Sequence, residues 1–365
     1  MNSNPVFFVV PGKIGTVSGG YNYDRRLLEG LRNQGRQIHL VSLGSSFPNP
    51  TLEDSLDARG KLASFPDNAT VIIDGLAFGA LDLDALELIK PPLVALIHHP
   101  LAFESGLSPE NREHLFRNER RNLKLASHVL VTSPSTEKLL IAEYGVSPAF
   151  ITIASPGNDK KVISGQRSDP PLILSVGIQV QRKGHDVLLS ALARIDHLSW
   201  QAVIVGPVTD LAYGRKLIEM TNELGLSDRV KLVGEVSPDE LTSLYSKASI
   251  FALATRFEGY GMVFGEAMVS GLPIVSSRTG AVPDTVPEQA GVLVEPGDSE
   301  SFAEALGQIL QDEPLRVRLA SGSAEAGARL ISWEQTSDLV GQVLDKVATE
   351  SSGESSGRRV RNGDD

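Results

Sequence analysis

Apolar residues in this chain fall into short unbroken runs separated by stretches where they recur every third or fourth position. The runs Val6–Val10, Ile38–Leu43, Val71–Gly75, Leu93–Ile97, His128–Thr132 and Ile151–Ile153 read as strands. So do Leu172–Gly177, Trp200–Val205, Val230–Val233, Ile250–Leu253 and Ile274–Ser276. Runs this short, apolar on both alternations, suit strands covered on both faces of a parallel sheet. Helical spacing lies between them: at 27, 28 and 31, over 112–126, after the capping Ser133, over 187–192, near 211–224, 238–247, 262–270 and 299–311, and from Trp333 to 348. Strand and helix alternate in both halves, which predicts an α/β protein with two doubly wound parallel sheets.

Domain limits follow from composition. The 365 residues exceed what one core commonly supports, and 41% hydrophobic content supplies two. Residues 159–171 are polar and rich in Gly, Ser and Pro, so the expected domains are 1–165 and 166–332. A helix over 333–348 follows, and the tail 349–365, without apolar period, is expected to be disordered. No stretch suits a transmembrane helix, and Val6–Val10 is too short for a signal peptide. Cysteine is absent, which excludes disulfides and thiolate metal sites and makes a reducing cytoplasm the default. A net charge of -11 argues against a nucleic-acid partner. The charged run 112–126 reads as a solvated helix face; its arginines leave a peripheral membrane contact open.

Candidate chemistry centres on residues 256–268. Glu258 and Glu266 stand eight positions apart, with Gly259, Tyr260, Gly261, Met262 and Val263 between them. The order places Glu258 in a loop at a strand's carboxyl end and Glu266 in the first turns of the next helix. Ligands bind at that edge of an open α/β sheet, and a helix N-terminus favours phosphate. Read locally, the stretch is either such a site or a glycine-rich turn before a surface helix. Arg182 and Lys183, between a strand and a helix, are either a diphosphate clamp or exposed loop charges. Gly19 and Gly20 lie in a glycine-rich loop between a strand and a helix, a phosphate-cradling order that also suits a plain surface turn. His98 directly follows the fourth strand, as a ligand-side histidine or a turn histidine bonded to backbone.

Together these motifs resemble the retaining, nucleotide-sugar-dependent glycosyltransferases of family 4, over nearly the whole chain to about residue 347. The resemblance implies the GT-B fold, two Rossmann-like domains facing across a cleft, with an N-terminal acceptor domain, a C-terminal donor domain and a final helix packing back on the first domain. It implies that Glu258, with residues 259–262, meets the donor sugar. Gly234, Glu235, Val236, Val263 and Glu266 would meet the nucleoside. Gly19, Gly20, Arg182 and Lys183 would meet the diphosphate, and His98 would lie near the reacting centre. Glu258 and His98 would position and stabilise charge; neither acts as a nucleophile. The donor would be a nucleotide diphosphate sugar, with no metal or other cofactor, and the acceptor a glycan, a lipid or a small metabolite. The alternatives are a non-catalytic nucleotide-sugar-binding protein or a nucleotide-sugar epimerase on the same fold. Two departures stand out: Ile178 replaces the family's usual arginine, and Thr279–Asp284 replaces its Gly-x-Pro-Glu segment.

Overall fold

In the computed structural model the described residues are 4–104, 106–159 and 165–353. They form two units, Met1–Gly157 with Ile331–Asp365, and Asn158–Leu330. The first contains β1 (Val6–Pro11), α1 (Gly19–Asn33), β2 (Ile38–Leu43), α2 (Leu52–Leu62), β3 (Thr70–Asp74), α3 (Gly75–Phe78), α4 (Leu83–Leu86), β4 (Leu93–Ile97), α5 (Pro109–Asn122), β5 (His128–Val131), α6 (Pro134–Ala142) and β6 (Ile151–Ile153). The second contains β7 (Leu172–Val176), α7 (His185–Arg194), β8 (Gln201–Val205), α8 (Leu211–Glu223), β9 (Val230–Val233), α9 (Pro238–Lys247), β10 (Ala248–Leu253), α10 (Met262–Val269), β11 (Ile274–Ser277), α11 (Val282–Thr285), β12 (Gly291–Val294), α12 (Ser299–Gln311) and α13 (Glu313–Arg329). The last helix, α14 (Trp333–Gly353), belongs to the first unit.

Each unit holds one six-stranded sheet, ordered β2-β1-β3-β4-β5-β6 and β12-β11-β10-β7-β8-β9. The neighbours pair in parallel, so all strand carboxyl ends of a sheet share one edge. Every residue of β3, β4, β7 and β10 is buried, as expected of strands covered on both faces.

Several limits differ from the sequence expectation. The first unit ends at Gly157, not 165, because a Cβ on Gly157 would lie 2.2 Å from the Trp333 amide nitrogen, whereas Asn158 packs against Gly265 in α10. Of the expected linker, residues 160–164 lie outside the described residues. The final helix runs to Gly353, past 348, so residues 349–353 of the expected tail are helical; the rest lies outside the described residues. This helix packs on α1 where Gly30 leaves room for Ser337, with a Cβ there falling 1.9 Å from the hydroxyl oxygen. Arg36 adds a bidentate pair to Asp345 at 2.7 Å on both arms, and Tyr23 meets Trp333 edge-on at 5.5 Å. α1 begins at Gly19, so Gly19 and Gly20 stand in its first turn and not in a loop. The Ser18 hydroxyl caps that turn by accepting from the Tyr21 amide, which offsets the poor helix propensity of two glycines.

Candidate functional site

At the carboxyl edge of the second sheet, the chain leaves β7 through Gly177 and Ile178 and makes a single 3-10 turn over Gln181–Lys183. Gly184 closes the turn in the left-handed region at φ 67 and starts α7. Beside it β10 ends, and residues 254–261 lead into α10. The two segments are laced together. The Arg256 amide donates to the Arg182 carbonyl at 2.7 Å, and the Thr255 hydroxyl donates to the same oxygen at 3.0 Å. Arg182 Nη1 returns a bond to the Phe257 carbonyl at 3.2 Å.

This lacing brings Glu258 and the two cations into one cluster. Lys183 Nζ lies 2.6 Å from Glu258 Oε1, and Arg182 Nη1 lies 3.8 Å from Oε2. The Thr255 hydroxyl stands 3.1 Å from Oε1. Glu258 is only 4% exposed. Burial acts to raise its carboxyl, but the Lys183 and Arg182 charges and the hydrogen bonds outweigh it and hold the group below the usual carboxylate range. The loop after β11 fixes the Glu258 backbone, since the Ala281 amide donates to its carbonyl at 2.9 Å. Gly280, at φ 50, passes so close that a Cβ would lie 2.3 Å from that oxygen. The departing segment Thr279–Asp284 thus supports Glu258 through its backbone.

Tyr260 is held through its carbonyl by the Thr285 hydroxyl at 2.9 Å. Gly259 and Gly261 flank it, and Gly261, at φ 84, leaves room for the Phe264 ring. Met262 opens α10 and Val263 follows, so their amides stand at the helix N-terminus, directly after the loop that carries Glu258. Glu266 sits one turn further, where its Oε2 accepts from the Tyr245 hydroxyl at 2.8 Å. Burial, reinforced by Asp159 and opposed by the Tyr245 bond, raises the Glu266 carboxyl. Gly234, Glu235 and Val236 follow β9, with the Gly234 carbonyl accepting from the Gly206 amide at 3.1 Å. They lie on the same sheet edge as Lys183 and Glu258, because all these strands are parallel.

In the first unit, His98 follows β4 and turns its imidazole on two carboxylates. Its Nε2 lies 3.0 Å from Asp24 Oδ1 and 3.2 Å from Asp74 Oδ2. Both aspartates are buried. Burial alone would lower the imidazole, but the two carboxylates overturn it and carry it to about 10. Burial, then the Asp74 charge, pushes Asp24 up to about 7, against the pull of His98. Gly20 faces this imidazole: a Cβ there would lie 3.4 Å from its Cδ2. One oxygen or nitrogen from each of Asp24, Asp74 and His98 lies within 4.8 Å of the others, the spacing of a cation site among the described residues.

The charged helix α5 is not wholly a solvated face. Arg112 and Arg117 are exposed, but Asn118, Glu119 and Asn122 are buried. Asn118 and Asn122 donate to the carbonyls of Phe78, Gly79 and Leu81, and Glu119 Oε2 accepts from the Leu101 amide at 3.1 Å. Glu119 thus braces the segment after His98, and the two asparagines brace the turn at 78–81; Ser105, within the loop 102–108, lies outside the described residues. Burial pushes the Glu119 carboxyl up to about 8, although the Leu101 amide and Tyr144 pull the other way. The folded state therefore holds a proton that the unfolded state loses near pH 4.5. This contribution to stability is full below pH ~4.5, falls as pH rises and levels off above about 8. Glu119→Gln removes the ionisation and keeps an acceptor for Leu101. Its melting temperature relative to wild type should rise between pH 5 and pH 8, by roughly 5 °C or more. A constant difference across that range would show that Glu119 does not carry the effect.

Thr255, Tyr245, Asp24 and Asp74 join these clusters without having been singled out for a role from the sequence. Only the acidic type of Asp24 and Asp74 gave any signal, and it does not distinguish a buried acid from a surface one.

Residues 158–325 match the family model described as glycosyl transferases group 1. Among curated relatives, the MMP alpha-(1->4)-mannosyltransferase of Mycolicibacterium hassiacum is 28% identical over 325 residues, covering 84% of this chain and 78% of the relative. The D-inositol 3-phosphate glycosyltransferase of Corynebacterium diphtheriae is 29% identical over 250 residues, covering 63% of this chain and 58% of the relative. Against enzymes of the latter kind, the chain spans from 51% to 62% of their length. Among solved structures, sucrose-phosphate synthase from Thermosynechococcus elongatus superposes with a TM-score of 0.79 at 22% identity, over 94% of this chain and 99% of the other. The HepE protein of Anabaena, solved with UDP and glucose, gives 0.76 at 18% identity, over 93% and 99%. These likenesses show the fold, that of the GT-B glycosyltransferases.

Proposed function

We propose that this chain, whose residues 158–325 match the model of the group 1 glycosyl transferases, is a retaining glycosyltransferase that moves a hexosyl group from a nucleoside diphosphate sugar to a hydroxyl acceptor. The observation that carries the proposal is the buried Lys183–Glu258 pair at the strand carboxyl edge, beside the N-terminus of α10. A nucleoside diphosphate leaves readily once its charge is neutralised. Lys183, Arg182 and the first amides of α10 supply that neutralisation without a resident metal. Glu258, an acceptor held ionised, takes hydrogen bonds from sugar hydroxyls, and Glu266 takes those of the ribose. Glu258 is tied up by two cations and a hydroxyl, which suits charge stabilisation better than covalent attack. His98 is assigned a similar positioning role, and the first unit the acceptor. The family of the matched domain, and the transferase names of the curated relatives, support sugar transfer over epimerisation or mere binding.

A thermal-shift screen of UDP, GDP, ADP and their sugars tests the proposal. One base should raise the melting temperature, by about 2.7 kcal/mol of added stability at a hundredfold excess over Kd. The same donor should then lose its sugar to an acceptor in a mass-detected panel. No shift with any diphosphate and no transfer from any donor would overturn it.

A further inference from the structure

We infer that Arg256 and Asp186 form a positioning clamp that holds Lys183 on Glu258. The inference deepens the proposed function, because it assigns residues that set the geometry of that same pair.

The geometry is specific. Asp186, in the first turn of α7, accepts both arms of the Arg256 guanidinium, at 2.9 Å on Oδ1 and 3.0 Å on Oδ2. Such fork-to-fork contacts fix orientation as well as distance. Arg256 Nη1 also donates to the Gln181 carbonyl at 2.6 Å, and the Arg256 amide donates to the Arg182 carbonyl at 2.7 Å. One residue thus grips the start, the middle and the far side of the turn that carries Lys183. On the other side, the Tyr213 hydroxyl donates to Asp186 Oδ1 at 2.8 Å, and Lys216 Nζ lies 3.6 Å from Oδ2. Asp186 is thereby fixed before it meets Arg256. The Asp186 and Arg256 side chains are 12% and 33% exposed, so the clamp is only partly screened.

Neither side chain is placed on a ligand by anything in the structure. Their shared effect is on the relation between two chain segments, 181–186 and 254–258. Lys183 belongs to one and Glu258 to the other. Without the clamp these segments retain the Thr255 and Arg182 bonds, but lose the contacts that stop the turn from rotating away.

Amine labelling with acetic anhydride, read by mass spectrometry, tests this on the whole chain without any ligand. Exposed Lys231 serves as the internal reference. In wild type, Lys183 should label slowly relative to Lys231. In Arg256→Ala and in Asp186→Asn, its relative rate should rise roughly three- to tenfold, with Arg256→Lys between them because an ammonium cannot bridge both oxygens. Glu258→Gln sets the rate for an amine without its carboxylate. Wild-type labelling of Lys183 in Arg256→Ala, with the circular dichroism and melting profile of a folded protein, overturns the inference. If Arg256→Ala does not fold, the same criterion applies to Asp186→Asn and Arg256→Lys. With a donor found by the screen, kcat/KM should fall in step with the labelling. Failure to find any donor would count against the proposed transferase activity, and the labelling result would still decide the clamp.

Discussion

Lys183→Ala should cost both stability and turnover, with a pH dependence that identifies the cause. The substitution removes the cation 2.6 Å from a carboxylate that is 4% exposed. Breaking one side of a buried pair costs about 3–5 kcal/mol, because a charge is left without its partner. Here the lower end applies, since Arg182 at 3.8 Å and the Thr255 hydroxyl at 3.1 Å remain. That corresponds to a fall of roughly 6–12 °C for a domain of this size. In wild type the Glu258 carboxyl is depressed, so its stabilising contribution is present above pH ~4.3 and is lost as pH falls through the lower folded value. In the variant the main attraction is gone and burial prevails, which turns the shift upward. The variant should therefore fall furthest below wild type near pH 7, with the gap closing toward pH 4. Turnover of the donor should drop on the order of 10²–10³-fold, the usual effect of losing one group that meets developing charge. The double variant Lys183→Ala/Glu258→Ala should lose less stability than the sum of the two single changes, because they share one interaction. A Lys183→Ala protein that melts with wild type at pH 7 and turns over donor normally would remove both residues from the site.

The sequence made the strands legible because each buried strand is a nearly unbroken apolar run, and such runs alternate with helices throughout the chain. It made Glu258 and Glu266 legible because glycines and a buried strand frame them. The elements it hid have specific physical causes. In α13, Gly322 and Gly327 look like stops, yet they are there for close packing: a Cβ at Gly322 would lie 2.1 Å from the Gln289 carbonyl, and one at Gly327 2.6 Å from Met268. In α2, Leu52 and Leu56 are exposed, so the helix has no clear apolar face to read. β12 is a short edge strand in which only Gly291 is buried.

The electrostatic part of the site was hidden for a different reason. Asp24 meets His98 across 74 positions, Asp186 meets Arg256 across 70 and Lys183 meets Glu258 across 75. No local pattern encodes such pairs, and the fold creates them by bringing parallel strands to one edge. Glu119 shows the opposite error. Charged residues surround it, so the run reads as solvated, although the face carrying Asn118, Glu119 and Asn122 turns inward and its acid is buried. Arg182 and Lys183 were legible as cations at the right edge. That both turn on Glu258 was not.

The sharpest test of how the site is held comes from one missing methyl group. Gly184 stands at φ 67 and ψ 25, where an alanine costs about 1–2 kcal/mol from backbone sterics alone. A Cβ at this position would also lie 1.8 Å from the Ala254 carbonyl oxygen and 2.7 Å from its carbon. Those atoms are backbone at the exit of the fully buried β10, so they cannot step aside as a flexible side chain would. Gly225 provides the control, since it has nearly the same φ, 69, and nothing within 4 Å of its Cβ position. Gly225→Ala should lose about 1 kcal/mol, the conformational part alone. Gly184→Ala should lose at least ~3 kcal/mol, the excess coming from overpacking against fixed backbone. If the turn moves instead, it must release the 2.7 Å bond from the Arg256 amide to the Arg182 carbonyl, and Lys183 then leaves Glu258. In that case the nucleoside diphosphate shift disappears even where the melting temperature survives. Urea unfolding of both variants, with and without the diphosphate found by the screen, separates these effects. Equal losses at Gly184 and Gly225, with ligand response intact in both, would show that the close approach of the turn to β10 holds neither the fold nor the site.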